Sequence, residues 1–350
     1  MAPRLQTLLM AAAMLALLFL FSWLLWVPIY LLFEPEPTWK IPLAMIGGLG
    51  PAVAAAVTLT LFSGRQSDRR ASPWTFLIGV GLALIGFALL SSDPMSGHQL
   101  QLPRALPPGS LALFGIQAVL IGWLISRAVS ANPDLRNVYG RLIPDRRDLF
   151  WLIPVLAFPA FLFVLSNTLA GALGLELAEL PIYDARPVGE WLPLVLISLY
   201  AAVVGAWVGG GLEELGWTAF LLPLLQTRLS PMLAAVLVAA AHALWGLPIV
   251  LGYAEYESTL LATMLIRFIG LALIHLYLMA IYNLSGGSVL LPVLFHACFN
   301  SMAILMASAL VYPVAILILL VVLIKFRLWR RDRAHVPAFF RSMRSRWAEA

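Results

Sequence analysis

Charge is scarce in this sequence. Only 11% of its 350 residues are Asp, Glu, Lys or Arg, whereas soluble domains contain about a quarter. Hydrophobic residues make up 62% of the chain, and the mean hydropathy is +0.93. This balance excludes an ordinary soluble protein and predicts an integral membrane protein. The single cysteine, Cys298, excludes an intrachain disulfide.

Ten apolar runs could cross a hydrocarbon core of ~30 Å as helices, which takes roughly 20 residues each. The runs are 8–33, 41–62, 76–91, 110–126, 149–173, 191–225, 231–251, 259–282, 287–310 and 312–326. The sequence therefore predicts an all-α, polytopic transmembrane helical bundle of about ten spans. Lys and Arg concentrate in alternate loops and in the tail, so both termini are predicted to be cytoplasmic. The expected location is a bacterial cytoplasmic membrane.

Three regions differ in their polar residues. Residues 1–190 have long polar loops and no acid in an apolar run, which predicts N-terminal helices that act as scaffold or substrate access. Residues 191–310 contain nearly all the intramembrane ionisable groups and form the predicted working core. Residues 311–350 form the last span and a basic tail with interleaved aromatic residues. Such a tail is typical of a segment that lies on anionic lipid, and no nucleic-acid partner is expected.

Glu213 and Glu214 are the acidic residues that interrupt an apolar run; the other fifteen lie in loops or tails. A charge in the bilayer costs on the order of 3 kcal/mol or more, so such residues normally face the bundle interior and one another. His242 and His296 lie on two later spans. With a rise of about 1.5 Å per residue, all of these residues fall near mid-membrane. The spacing predicts one shared polar site.

For the other polar residues of the eighth and ninth spans, the sequence leaves both a functional and a structural role open. His296 and Asn300 share a helix face at i, i+4 and would either donate to a developing oxyanion or clamp two helices. His275 would be a further site member or a structural hydrogen-bond partner. Arg267, in the outer half of the eighth span, needs a counter-charge: it would pair with Glu214, pair with a backbone carbonyl, or snorkel to the membrane interface.

Three stretches of the predicted core have a motif-like pattern: Glu213-Glu214-Leu-Gly-Trp-Thr-Ala-Phe-Leu-Leu-Pro223, Leu244-Trp-Gly-Leu-Pro248, and residues 283–300 with Pro292 and the His296/Asn300 pair. In this order they resemble the first, second and last motifs of a known family, the CPBP intramembrane proteases of the CAAX-processing and bacteriocin-processing group. The resemblance covers about residues 200–302.

The resemblance implies roles for these residues. Glu213 would be the base that activates water, and Glu214 would orient the site. The histidine of the second motif would be a water or metal partner, and His296 with Asn300 would stabilise the oxyanion. The use of zinc stays open: Glu213, His242 and His296 would form a three-ligand catalytic zinc site, or the glutamate would activate water directly.

Two positions depart from the family pattern. Thr218 stands where an arginine is expected, which predicts that Glu214 has no partner on its own helix and that Arg267 is the substitute. Gly246 stands where the second motif has histidine. His242, one turn earlier, is the expected replacement; otherwise the site is degenerate.

The sequence thus predicts an intramembrane endopeptidase that hydrolyses a peptide bond of a membrane-associated protein or peptide. The alternative is a catalytically degenerate relative that acts as a binding, scaffold or immunity protein. A proton-coupled transporter would use the same buried groups, but the sequence has neither an inverted repeat nor matched broken helices, which many transporters contain.

Overall fold

The computed structural model describes residues 3–32, 37–63, 73–92, 108–130, 132–177, 199–200, 202–206, 210–252 and 259–346. Within these ranges the chain is helical and contains no strand, so the predicted all-α class is confirmed. Parts of the predicted sixth span, including Trp191, lie outside the described residues.

The helices are numbered here in chain order. They are α1 (Pro3–Val27), α2 (Pro37–Gly48), α3 (Gly50–Phe62), α4 (Pro73–Ser92), α5 (Pro108–Ala128), α6 (Pro133–Tyr139), α7 (Arg146–Ala172), α8 (211–226), α9 (Pro231–Trp245), α10 (Leu247–Leu251), α11 (Leu260–Leu284), α12 (Leu290–Met302), α13 (Val311–Phe326) and α14 (Ala338–Arg346).

Five of the described helical stretches are long and apolar enough to cross a membrane: Leu5–Leu32, Trp39–Phe62, Pro108–Ala128, Arg146–Ala172 and Leu260–Leu284. Shorter apolar helices are Pro73–Phe87, Pro231–Trp245, Leu290–Met302 and Val311–Phe326. These helices mark an integral membrane protein. The count of ten spans and the cytoplasmic termini stay predictions.

Segment α8 is not a regular helix. It begins with a 3-10 turn at Gly211–Glu213, passes through one α-turn, continues as a π-helix at Trp217–Leu221 and ends as an α-helix at Leu222–Gln226. Single π-turns inside helices are frequent at functional sites. The predicted sixth span therefore changes its helical geometry at the two glutamates.

Close backbone packing fixes α8 in the bundle. A Cβ at Gly216 would overlap the backbone of Pro51 on α3, so only glycine allows this approach. On its other side, the 3-10 turn packs against α12, and α9 packs against α11. Helices α3 and α12 therefore both pack against the part of α8 that contains the glutamate pair.

The start of α9 is set by its own sequence. Pro231 occupies its first turn, and the side chain of Ser230 accepts a hydrogen bond from the Leu233 amide. Proline at the first position and serine at the N-cap are the preferred residues there. This start places His242 about three turns along the helix.

Candidate active site

His296 lies between the two glutamates. Its Nδ1 is 2.6 Å from Oε1 of Glu214, and its Nε2 is 3.3 Å from Oε1 of Glu213. Glu213, Glu214 and His296 are 6%, 0% and 5% exposed. The predicted meeting of these groups on α8 and α12 is therefore present in the structure.

Glu214 has a second partner on its own helical segment. The hydroxyl of Thr218 donates a hydrogen bond to Oε2 of Glu214, while Oε1 faces His296. The expectation that Thr218 leaves Glu214 without a partner on its helix is wrong, because a threonine four residues on can supply a hydroxyl donor. Both oxygens of Glu214 are engaged, which suits it to positioning His296.

The two contacts of His296 differ in length. The contact of Nδ1 with Glu214 is a short, charge-assisted hydrogen bond, whereas the Nε2 contact of 3.3 Å with Glu213 is longer than the usual 2.7–3.2 Å for N–H···O. A ring that carries a proton on both nitrogens satisfies both contacts. Glu214 thus fixes the orientation of the ring. Nε2 can exchange its long contact with Glu213 for a hydrogen bond to a ligand at a small cost in free energy.

A cavity of about 450 Å³ opens beside this cluster. Its polar lining residues are Glu213, His242, Arg267, His296 and Asn300. Helices α1 and α2 complete the wall, with Trp26, Ala44, Met45 and Gly48 among the lining residues. The first part of the chain therefore shapes the cavity directly. Glu214 and His275 lie behind this lining.

Asn300 and His296 both line the cavity, as expected for residues at i, i+4 on one helix face. The Asn300 amide lies over Gly210. A Cβ on Gly210 would be 3.2 Å from Nδ2 of Asn300 and 3.9 Å from Oε1 of Glu213. Gly210 also has φ of 61° and ψ of −47°, a backbone conformation that glycine adopts most readily.

Two other histidines of the predicted site form a pair. Nδ1 of His242 is 3.0 Å from Nε2 of His275, and the His242 ring stacks on Trp217 with centroids 5.1 Å apart and an interplanar angle of 11°. The His242 and His296 rings are 6.4 Å apart. His242 therefore lines the cavity and is oriented by His275, whose contact fits the hydrogen-bonding alternative predicted for it.

Position 246, where the second motif has histidine, is glycine, and the space that a side chain there would fill is occupied by Arg267. A Cβ on Gly246 would be 2.8 Å from Cζ and 3.0 Å from Nε of Arg267, so the guanidinium lies where a side chain at 246 would begin. Nε of Arg267 has no hydrogen-bond partner among the described residues. The acid that attracts Arg267 is Glu213; Glu214, the acid expected from the pattern, is engaged by His296 and Thr218. No local sequence pattern signals this contact between α11 and the end of α9.

Three residues of the cluster are close enough to hold a metal ion. One ligand atom each from Glu213, Glu214 and His296 lies within 4.8 Å of the other two. Two carboxylate oxygens and one imidazole nitrogen are a donor set that suits zinc, so these residues fit such an ion. The predicted ligand set was Glu213, His242 and His296; the group found among the described residues contains Glu214 and lacks His242, and the use of zinc stays a prediction.

These features define a class of protein: a helical membrane protein with a buried carboxylate–histidine cluster beside an internal cavity. Residues 188–302 match the family described as Rce1-like, type II CAAX prenyl endopeptidase. The match covers about a third of the chain and includes every polar residue of the site. It confirms the resemblance to the CAAX-protease group that the motifs predicted. A search among curated proteins found no match.

Proposed function

We propose that this chain is an intramembrane endopeptidase of a bacterial cytoplasmic membrane, which hydrolyses a peptide bond in a membrane-associated peptide or protein. The observation that supports the proposal best is the Glu213–His296–Glu214 cluster, which is buried among apolar helices and faces a cavity. The match to a prenyl endopeptidase family makes the C-terminal segment of a prenylated protein the first substrate class to test.

The proposed reaction uses water in the cavity. The water oxygen attacks the carbonyl carbon of the peptide bond while Glu213 accepts a proton from the water. The carbonyl electrons move to its oxygen, and Nε2 of His296 and Nδ2 of Asn300 donate hydrogen bonds to the resulting oxyanion. The C–N bond then breaks, and the proton on Glu213 passes to the leaving amine.

Glu214 and Thr218 act through His296 in this scheme. The hydroxyl of Thr218 fixes one oxygen of Glu214, and the other oxygen holds Nδ1 of His296. This arrangement directs Nε2 towards the cavity. In a zinc-dependent form of the reaction, Glu213, Glu214 and a neutral His296 would instead be the residues that hold the ion, whose chemistry in such a site is to acidify bound water.

Arg267 is the proposed replacement for the basic groups missing at positions 218 and 246. It lines the cavity, is attracted by Glu213 and has an Nε without a partner among the described residues. Its fixed positive charge would attract the oxyanion. His242, oriented by His275, would contact the substrate or the water from its own place in the cavity lining.

The test is the variant Glu213→Gln, with the full chain in lipid nanodiscs and fluorogenic peptides that end in a CAAX sequence. Loss of the general base should lower turnover by about 10²- to 10⁴-fold, with folding unchanged. Glu176→Gln is the matched control, because Glu176 is exposed outside the cavity and should retain full activity. Wild-type turnover by Glu213→Gln would refute the mechanism. The same peptide with and without its prenyl group tests the substrate class.

A second candidate function is peptide binding without catalysis. The substitutions Thr218 and Gly246 at two motif positions favour it. If the protein is catalytically inactive, the wild type and Glu213→Gln should bind CAAX peptides with equal affinity. Neither protein should then cleave the peptides, whether or not zinc is added. Cleavage that depends on Glu213 would exclude this candidate.

A further inference from the structure

A polar groove of about 540 Å³ lies away from the proposed active site, between the C-terminal tail and the end of α8. Its polar lining residues are Gln226, Thr227, Arg331, Asp332, His335 and Arg341. The tail is packed on the bundle at several points. The ring centroids of Phe340 and Phe220 are 5.6 Å apart. The backbone amide of His335 donates a hydrogen bond to Oδ1 of Asn283. The groove is therefore a formed part of the fold.

Gln226 points to a ligand in this groove. Its side chain is 3% exposed, yet neither its Oε1 nor its Nε2 has a hydrogen-bond partner among the described residues. Buried amides in native proteins nearly always have partners, because an unsatisfied donor or acceptor is costly. A ligand that accepts from Nε2 and also donates to Oε1 would satisfy both atoms.

The charges around the groove favour an anion. Arg331 and Arg341 both line it, and Arg331 uses one Nη2 contact to bond the carbonyl of Thr227. Asp332, the acid in the lining, is already paired with Arg330 at 3.0 Å. Burial and the positive charges of Arg341 and Arg141 lower the pKa of His335, which indicates a positive field at that wall.

We propose that this groove binds a phosphate group with a neighbouring hydroxyl, either as the headgroup of an anionic phospholipid or as soluble hydrogen phosphate. The phosphate oxygens accept hydrogen bonds from Arg331, Arg341 and Nε2 of Gln226. The hydroxyl donates to Oε1 of Gln226. Arginine presents a fork of donors that matches phosphate geometry. A ligand here joins the tail to the far end of α8, the segment that contains both glutamates of the active site.

The experiment uses the full chain in nanodiscs. Titration of inorganic phosphate into phosphatidylcholine discs tests the soluble ligand. Incorporation into discs that contain phosphatidylglycerol, followed by quantitation of retained lipid after detergent exchange, tests the headgroup. Neither readout depends on proteolysis, so the result stands apart from the proposed enzymatic function.

Two variants and one control define the site. Arg341→Gln removes a charged donor and should weaken binding at least about tenfold, as expected for a charge-assisted hydrogen bond. Gln226→Leu removes two atoms that have no partner in the described protein, so the ligand-free protein should unfold at the same temperature or higher while binding is weakened. Arg333→Gln removes the same charge from an exposed tail residue outside the groove lining and should change binding less than about threefold.

The outcomes separate the alternatives. Saturable phosphate binding in phosphatidylcholine discs identifies the soluble ligand, and retention of phosphatidylglycerol without phosphate binding identifies the headgroup. Binding that Arg333→Gln weakens as strongly as Arg341→Gln is diffuse surface attraction and overturns the proposal. Unchanged binding in Gln226→Leu, or no binding of either probe, also overturns it.

Discussion

The contact between Gly246 and Arg267 gives the sharpest prediction for catalysis. Gly246 has φ of −79° and ψ of 4°, which any residue adopts, so alanine meets no backbone strain there. Its added Cβ would instead be 2.8 Å from Cζ of Arg267, closer than two carbons pack. The guanidinium must therefore move out of its place in the cavity wall.

The effects of Gly246→Ala on stability and on activity both follow from displacement of the Arg267 guanidinium. The guanidinium is the end of a flexible side chain, so its shift is cheap, and alanine at a compatible backbone position stabilises by about 0.4–1 kcal/mol because it restricts the unfolded chain more than glycine does. Gly246→Ala should therefore change the unfolding free energy by less than about 1 kcal/mol. The transition state, however, loses a charged partner worth about 1.5–3 kcal/mol, so kcat/KM should fall roughly 10- to 100-fold.

A double-variant cycle tests this reasoning. In an Arg267→Ala background there is no guanidinium to displace, so Gly246→Ala should lower kcat/KM by less than about twofold and stabilise the fold slightly. The assay combines peptide turnover in nanodiscs with reversible unfolding in mixed micelles. Equal losses of activity in both backgrounds, or full activity of Gly246→Ala in the wild type, would refute a role for the displaced Arg267.

Three other substitutions test separate parts of the structure. Thr218→Val removes the hydroxyl donor to Glu214 and should destabilise the protein by about 1–3 kcal/mol in thermal unfolding, while Thr218→Ser should recover most of the loss. Gly210→Ala places a Cβ 3.2 Å from the Asn300 amide at a φ of 61°; it should cost about 1–3 kcal/mol and lower kcat more than it raises KM. The pKa of His335 is lowered from its ordinary value of 6.5, so in phosphate-free buffer the docked tail should be most stable above pH 6.5 and loosen as pH falls below it, since the released ring binds a proton that the docked ring resists. Amide exchange of the tail checks this, and His335→Gln should remove the pH dependence.

Much of the architecture could be read from the chain because hydropathy is a local property. Long apolar runs predict membrane helices whatever their neighbours are, and the helices found in the described ranges follow those runs. Glu213 and Glu214 were recognisable because a carboxylate pair in an apolar run needs a buried partner. The spacing of His296 and Asn300 predicted a common face from helical periodicity alone.

Other features of the site depend on how helices pack and rotate against each other. The hydrogen bond between Thr218 and Glu214 could have been predicted from their i, i+4 spacing, although comparison with the family pattern indicated only that an arginine is missing at position 218. The position of the Arg267 side chain could not be predicted from the sequence, because it depends on the distance and rotation of α11 relative to the end of α9. The pairing of His242 with His275 depends on the same packing.

The sequence by itself determined the membrane class, the helical pattern and the residue types needed for hydrolytic chemistry, since each follows from the composition or spacing of neighbouring residues. The tertiary structure decided which of those groups face the cavity, which hold one another in place, and which side chain occupies the space beside Gly246. These contacts join helices distant in the chain, and their geometry is set by close packing of whole helices, which no local pattern encodes.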